Sequence, residues 1–160
     1  MSDISDALGA TATILDSIAT VSPEAIYAHP TETTDLRKID VFPTVVVSQN
    51  VGQNYSWRGW GNSAYRHDWE MLIAVYLEKA KFHVSSQEAV SALSSQDEWI
   101  KSMADILRDN MTLSGNAVHI GNDDVIFNYF VGFISWNRET YFGLLFTVPV
   151  TQEGTQTINA

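Results

Sequence analysis

His67, Asp68 and Glu70 form the densest group of titratable side chains in the sequence. A histidine beside a carboxylate can act as a general base whose ring the carboxylate orients. A solvated entrance to a strand has the same composition, and a single short motif is a weak indicator of catalysis. The four histidines are scattered, without the paired spacing of a metal-binding helix. We therefore predict no catalytic residue and no enzymatic activity.

Two further segments have compositions that suit ion binding. Asn122-Asp123-Asp124 offers oxygen ligands for a hard cation, but it lacks the register and the distal glutamate of a calcium loop. Asparagine and aspartate bond their own backbone, so a turn before a strand explains this segment equally well. Gly59-Trp60-Gly61 superficially suggests a phosphate loop, yet it opens no predicted helix and lacks the Lys-Ser/Thr pair. We expect no metal site and no cofactor.

Residues 48–67 combine aromatic side chains, arginines and glycines in one segment, with three of the nine glycines and two of the five tryptophans. Bases or sugars can stack on such rings, and arginine adds charge. Trp, Tyr and Arg are also the residues most enriched at the hot spots of protein interfaces. Because the net charge is −10, we favour a protein interface over nucleic acid or sugar. The candidate interface residues are Tyr55, Trp57, Arg58, Trp60, Tyr65 and Arg66.

Length and composition bound the class of protein. The chain has 160 residues, 45% hydrophobic and 18% charged, which is typical of one globular domain. Nine Lys and Arg against nineteen Asp and Glu disfavour a general phosphate-backbone binder and adhesion to an anionic membrane. The absence of cysteine excludes disulfides, thiolate zinc sites and a cysteine nucleophile. No apolar run is long enough for a membrane span, and the N-terminus lacks the basic region of a secretory signal.

The first half of the chain predicts one helix and two strands. Near-helical spacing of apolar residues predicts a helix over residues 3–20, with Ser2 or Asp3 as N-cap. The polar residues 28–40 predict a long surface loop. Residues 41–47 predict a strand with Pro43 at its start or on an edge, and residues 48–67 an extended hairpin or a projecting loop. Residues 69–77 predict a strand covered on both faces.

The second half predicts a capped helix and a hairpin. Ser95 to Glu98 reads as a capping box, and an apolar stripe continues to Met111, with Ser114-Gly115-Asn116 as the stop. Alternating runs over 125–133 and 142–150 predict an antiparallel hairpin joined through residues 136–139. We expect its second strand to end near Pro149 and residues 151–160 to form a flexible tail. The predicted fold is a single α+β domain over residues 1–150, with a mostly antiparallel or mixed sheet, an N-terminal and a central helix packed on it, and long hairpin or loop projections.

The order and texture of these elements give a resemblance to a known family. A helix leads to the Pro-containing strand at 41–47. The next strand reads Trp69-Glu70-Met71-Leu72-Ile73-Ala74-Val75-Tyr76-Leu77, and the capped helix with Trp99-Ile100 and Ile106-Leu107 follows it. The last element is a hairpin that ends with Tyr141-Phe142-Gly143-Leu144-Leu145-Phe146-Thr147-Val148. This pattern, over about residues 3–150, resembles the tail terminator (tail completion or neck) proteins of long-tailed bacteriophages.

The resemblance implies a structural protein of the virion, made in the host cytoplasm and located in the tail or neck. It implies a homo-oligomer, a hexameric ring that caps the tail tube protein, stops tube polymerisation and docks to the head-completion or connector protein. DNA passes through the lumen of such a ring without specific binding. The family has no catalytic residues to carry over. The long segments 28–40 and 48–67 depart from a typical member.

Two alternatives remain open from the residues. One is another tail or neck component, such as a tube or baseplate-hub protein. The other, of a different class, is a small-ligand-binding domain or enzyme that uses the aromatic 48–67 segment as a pocket. A deep pocket that holds His67 and Asp68 would favour this last class.

Overall fold

The computed structural model describes residues 3–18, 23–28, 39–50, 56–60, 64–79, 96–122 and 125–155. In chain order the elements are α1 (Ile4–Leu15), β1 (Ala25–Ala28), β2 (Thr44–Gln49), β3 (Ser56–Trp60), β4 (Ala64–Lys79), α2 (Gln96–Arg108), β5 (His119–Ile120), β6 (Asn128–Trp136) and β7 (Glu139–Thr155). The predicted α+β fold with an N-terminal and a central helix is confirmed.

The sheet is mixed and is organised around its two longest strands. β4 and β7 pair antiparallel from Ala64↔Thr155 to Lys79↔Tyr141. β2 and β3 pair antiparallel with successive stretches of β4, whereas β5 and β6 pair with successive stretches of β7. β1 adds in parallel to β2. The seven strands therefore occupy five positions across the sheet, with β1 at one edge and β5 and β6 at the other.

α1 begins at a capping box. Asp3 is the N-cap: its Oδ1 accepts a hydrogen bond from the Asp6 amide at 2.8 Å, and Asp6 Oδ2 accepts one from the Asp3 amide at 3.1 Å. Two of the unpaired amides of the first turn are thereby satisfied. Within the helix the buried Thr11 hydroxyl donates to the Ala7 carbonyl at 2.8 Å. The helix ends at Leu15, earlier than predicted.

Both helices cover the same face of the sheet. α1 contributes Leu8 and Leu15 to the main core, and α2 contributes Trp99, Met103 and Leu107 from its apolar stripe. The sheet side of this core is formed by alternate residues of the central strands: Val45, Val47, Met71, Ile73, Val75, Leu144, Phe146, Val148 and Val150. Burial of these residues fixes the register, because a slip of one residue would move them to the other face.

A smaller cluster covers part of the opposite face. Ile39, Tyr76 and Tyr141 are its buried centre, and the Tyr76 and Tyr141 rings meet edge to face at 5.3 Å. The Tyr141 hydroxyl accepts a hydrogen bond from the Ile39 amide at 3.3 Å. Burial, with the neighbouring Tyr141 second, raises the pKa of Tyr76 to about 12. The prediction that β4 is covered on both faces is thus confirmed at Tyr76, while Leu72 is only half-buried.

Further predicted element boundaries are wrong. Ala28, predicted as the start of the long surface loop, belongs to β1, and residues 29–38 of that loop lie outside the described residues. α2 ends at Arg108; just beyond it the Asn110 side-chain amide donates from Nδ2 to the Ile106 carbonyl at 2.8 Å, and turns continue to residue 116. β7 passes the predicted end near Pro149 and continues to Thr155. The predicted tail therefore begins inside the sheet, and residues 156–160 lie outside the described part.

Candidate interaction surfaces

Most of the aromatic and arginine candidates lie on one antiparallel arm. We call this the β3–β4 arm; it consists of β3, residues 64–68 of β4 and residues 151–155 of β7. Gln49 pairs with Met71 and Ser56 with Asp68, and residues 51–55 between the two strands lie outside the described residues. β2 and β3 thus form one interrupted strand along β4. The predicted extended hairpin is confirmed over the described residues.

The register of the arm gives the position of each predicted interface residue. Trp57 pairs with His67, Arg58 with Arg66, and Gly59 with Tyr65. Trp60 pairs with Ala64, beside the connection to β4. Tyr55 lies outside the described residues. The structure brings five of the six candidates onto two paired strands; their role as an interface stays a prediction.

The base of the arm is attached to the core through a buried glutamine. The Gln152 side chain is 4% exposed, and its Oε1 accepts a hydrogen bond from the Trp69 indole at 2.9 Å. Its Nε2 donates to the Asp3 carbonyl and to the Asn116 carbonyl, each at 2.9 Å. One side chain therefore joins β4, β7, the start of α1 and the turns before β5. Such a satisfied polar network makes the base of the arm a rigid platform.

An open groove lies beside this base. It has a volume of about 440 Å³, and Arg66, Asp68, His119, Asn122 and Thr151 supply its polar lining. Asp68 Oδ1 accepts a hydrogen bond from the Thr151 hydroxyl at 2.7 Å and lies 3.8 Å from Arg66 Nε. The buried Arg66 Nε has no hydrogen-bond partner. Ligand pockets are usually lined mainly by apolar side chains that enclose the ligand, and this groove is polar and open.

The positions of His67 and Asp68 on β4 disfavour a base with its orienting carboxylate. They are consecutive residues of β4, and consecutive side chains of a strand point to opposite faces. Asp68 belongs to the groove, whereas His67 is not among the residues that line it. Burial lowers the pKa of His67, and the charge of Asp68 acts in the opposite direction. Both residues are half-buried and lie inside β4, which begins at Ala64, and not at a solvated entrance to the strand.

The residues that flank Asp123 and Asp124 are joined by two backbone hydrogen bonds. The Asn122 amide donates to the Val125 carbonyl at 2.7 Å, and the Val125 amide donates to the Asn122 carbonyl at 3.2 Å. Gly121 has φ +82°, and a Cβ there would lie 2.9 Å from the Val125 carbonyl oxygen. Asp123 and Asp124 lie outside the described residues. No group of three His, Asp or Glu side chains that could hold a metal occurs within the described ranges.

Sequence reasoning missed a second surface, on the edge strand β6. Tyr129, Phe130 and Phe133 are 54%, 53% and 58% exposed. The alternation of this run predicted a strand, and such alternation usually marks a half-buried strand. Two features of the run from Val125 to Asn137 were available as signals: its density of rings and its lack of any charged residue. The lack of charge is unusual for a strand at the edge of a sheet.

The exposed rings of β6 rest on buried aromatic residues. The Phe133 and Phe142 centroids are 4.4 Å apart, and the Tyr129 and Phe146 centroids 6.4 Å. Phe142 and Phe146 are buried side chains of β7. On the other face of β6 the Phe130 ring lies over Gly132, where a Cβ would meet Phe130 Cζ at 3.0 Å. We call Tyr129, Phe130 and Phe133 the β6 aromatic strip.

Comparisons with known proteins add no family to these observations. No protein-family model matches the chain, and no curated protein matches its sequence. Among the described residues, neither helix is both long and apolar enough to cross a membrane.

Proposed function

We propose that this chain is a structural subunit of a bacteriophage virion that acts at the joint between head and tail. In this proposal it is a tail terminator: copies form a hexameric ring on the end of the tail tube, stop tube polymerisation and bind the head connector. It uses no cofactor and catalyses no reaction. Its partners are further copies of itself, the tail tube protein and the head-completion protein.

The observation that carries the proposal is the β3–β4 arm. A ring subunit needs adhesive residues on a scaffold that holds them in a defined orientation. Trp57, Arg58 and Trp60 lie on β3, and the hydrogen bonds of Gln152 attach the base of the arm to the start of α1 and to the turns before β5. An antiparallel arm presents side chains to neighbouring molecules, which suits assembly better than the enclosure of a small ligand.

Charge supports the same role. The chain carries a net charge of −10, so a ring of identical copies has a strongly acidic character. A channel through which DNA slides should not hold the phosphates, and an acidic wall repels them. The composition is therefore compatible with passage of DNA without specific binding.

The groove beside Asp68 was the feature best suited to the small-ligand alternative. Its volume of about 440 Å³ falls within the usual range of ligand sites. Its polar, open lining and the separation of His67 from Asp68 disfavour a catalytic pocket. The second alternative, a tube or baseplate-hub protein, shares the need for adhesive arms and is separated from the terminator only by its behaviour with tail tubes.

Tail tubes of the same source provide the test. Negative-stain electron microscopy should show the protein as a ring on tube ends, and added protein should stop tube growth. Arg58→Ala and Trp60→Ala should weaken this capping, whereas Arg108→Ala should not, because Arg108 lies at the exposed end of α2 with only a 3.8 Å contact to Asp105. Incorporation along the tube would indicate a tube protein, and tube growth unaffected by the protein would contradict the proposal.

A further inference from the structure

We infer that the outer edge of β6 binds a second copy of this chain, which contributes a strand beside the β6 aromatic strip. This contact is separate from the β3–β4 arm and lies at the opposite side of the sheet. The inference concerns association of copies; only the expectation that this association closes into a ring rests on the proposed function.

Within the part of the chain that the structure describes, the backbone of β6 is open on one side. Among the described strands, β6 pairs only with β7, through all nine residues from Asn128 to Trp136. Native proteins protect such edges with charges, prolines, bulges or short strands. β6 has no proline and no charged residue, and its pairing with β7 is continuous, without a bulge. An edge of this kind is protected by pairing with another strand.

The aromatic strip flanks this edge on both faces. Phe133 pairs with Phe142 on one face, and Phe130 projects from the other because it lies an odd number of residues away along the strand. A strand added to β6 therefore meets rings above and below its backbone. Peptide strands added to a sheet edge gain affinity from the main chain and specificity from alternate side-chain contacts.

Charge favours a second copy as the occupant. The chain holds nineteen acidic and nine basic residues, so two copies repel each other over most of their surfaces. The run from Val125 to Asn137 is free of charge, and here two copies can approach without like-charge contact. A binding site for a basic partner would instead be surrounded by acidic side chains.

The size of the strip fits the centre of such an interface. Three aromatic side chains, each about half exposed, present on the order of 300 Å² of ring surface. A stable interface covers roughly 800 Å² on each partner, with an apolar centre inside a polar rim. The strip thus supplies about a third of the area. In a ring the contact is heterologous, with β6 of each copy against a different surface of the next.

Light scattering over a concentration series, into the hundreds of micromolar, tests the contact. The mass of the native chain should rise above 17.8 kDa. Phe133→Asp and Phe130→Asp should each weaken association by about 30-fold or more, as for a central interface residue. Val41→Asp is the matched control: Val41 is 48% exposed outside β6, and the charge change is the same. It should associate like the native chain.

Hydrogen exchange gives a readout that requires no variant. The amides of residues 128–136 of the native chain should exchange more slowly as its concentration rises, while those of α1 should not change. A native chain that stays monomeric at every concentration, β6 amides whose exchange is independent of concentration, or folded β6 variants that associate like Val41→Asp would each overturn the inference.

The contact and the tail function can fail separately. A chain that associates through β6 but does not cap tail tubes refutes the proposed function and leaves the contact. A chain that caps tail tubes, but whose folded Phe130→Asp and Phe133→Asp variants associate like Val41→Asp, refutes the contact and leaves the function.

Discussion

Replacement of Gln152 by leucine tests whether the end of β7 belongs to the folded core. Gln152→Leu keeps a similar volume but removes all three side-chain hydrogen bonds, to Trp69, Asp3 and Asn116. At about 1 kcal/mol of net stability for each bond, the loss is about 3 kcal/mol. The Trp69 indole, 3% exposed, is left buried without its acceptor, which raises the loss towards about 4 kcal/mol.

Urea unfolding followed by circular dichroism measures this loss. In a chain of this size the midpoint of thermal unfolding should also fall, by about 10 °C. Gln49→Leu is the matched control, because Gln49 is a half-buried strand residue to which the described structure gives no side-chain hydrogen bond. It should change the free energy of unfolding by less than about 0.5 kcal/mol.

A double-mutant cycle separates the indole bond from the other two. In a Trp69→Phe background the donor is absent, so Gln152→Leu should cost about 1 to 2 kcal/mol less than in the native chain. If Gln152→Leu is no more destabilising than Gln49→Leu, the hydrogen bonds of Gln152 contribute nothing to stability, and our explanation of the rigid arm base is wrong.

Three smaller predictions address the cap, the glycines and a tyrosine. Asp3→Ala should lower the free energy of unfolding by about 1 kcal/mol, through loss of the capping box. Gly143→Ala should prevent correct folding, because its Cβ would lie 2.0 Å from the Val75 carbonyl oxygen, whereas Gly9→Ala, in an open helix position, should stabilise by about 0.5 to 1 kcal/mol. The raised pKa of Tyr76, about 12, should make stability fall as pH rises from 10 to 12, and Tyr76→Phe should reduce that fall. Urea unfolding measures the first two effects at neutral pH, and a pH series measures the third.

Each of these predictions has a result that contradicts it. An unchanged unfolding free energy for Asp3→Ala would show that the cap is not formed in solution. A well-folded Gly143→Ala would refute the close approach of β4 and β7. For Tyr76 the sign follows from proton release: above pH 10 the unfolded chain loses the phenol proton while the folded chain keeps it, so alkali favours unfolding. Equal alkaline loss in the native chain and Tyr76→Phe would show that another group causes it.

Sequence periodicity was sufficient for the elements whose burial is one-sided. The stripe of α2, with Trp99 and Met103 at helical spacing, and the alternation of β7 both predicted the residues that the core buries. The Asn137-Arg138 turn followed from the short polar connector between two alternating runs, and both residues have the positive φ of a two-residue hairpin turn. Asp3 was one of the two N-caps that the sequence allowed.

Periodicity failed where long-range contacts decide the structure. β1 has only four residues and exists because it pairs in parallel with β2, which no local signal reveals. Gln152 lies in a polar run typical of a tail, and its burial depends on partners far along the sequence. The exposure of Phe133 likewise depends on which strand lies at the sheet edge, and the run itself offered only its density of rings and its lack of charge as signals of the β6 aromatic strip.

The arm was predicted more completely than its use. Aromatic residues, arginines and glycines between two strands indicated a hairpin or a loop, and pairing of β3 with β4 is the outcome. Composition could not decide between pocket and arm, because rings and arginines serve both. The β-sheet register disfavours a pocket built on His67 and Asp68, since consecutive residues of a strand point to opposite faces.

The solution mass of the native protein, alone and with tail tubes, tests the central proposal most directly. A hexameric ring predicts six copies of 17.8 kDa, about 107 kDa, reached with rising concentration or on the tube end. A mass of 17.8 kDa at every concentration, with no binding to tubes, would contradict both the ring and the role at the head–tail joint.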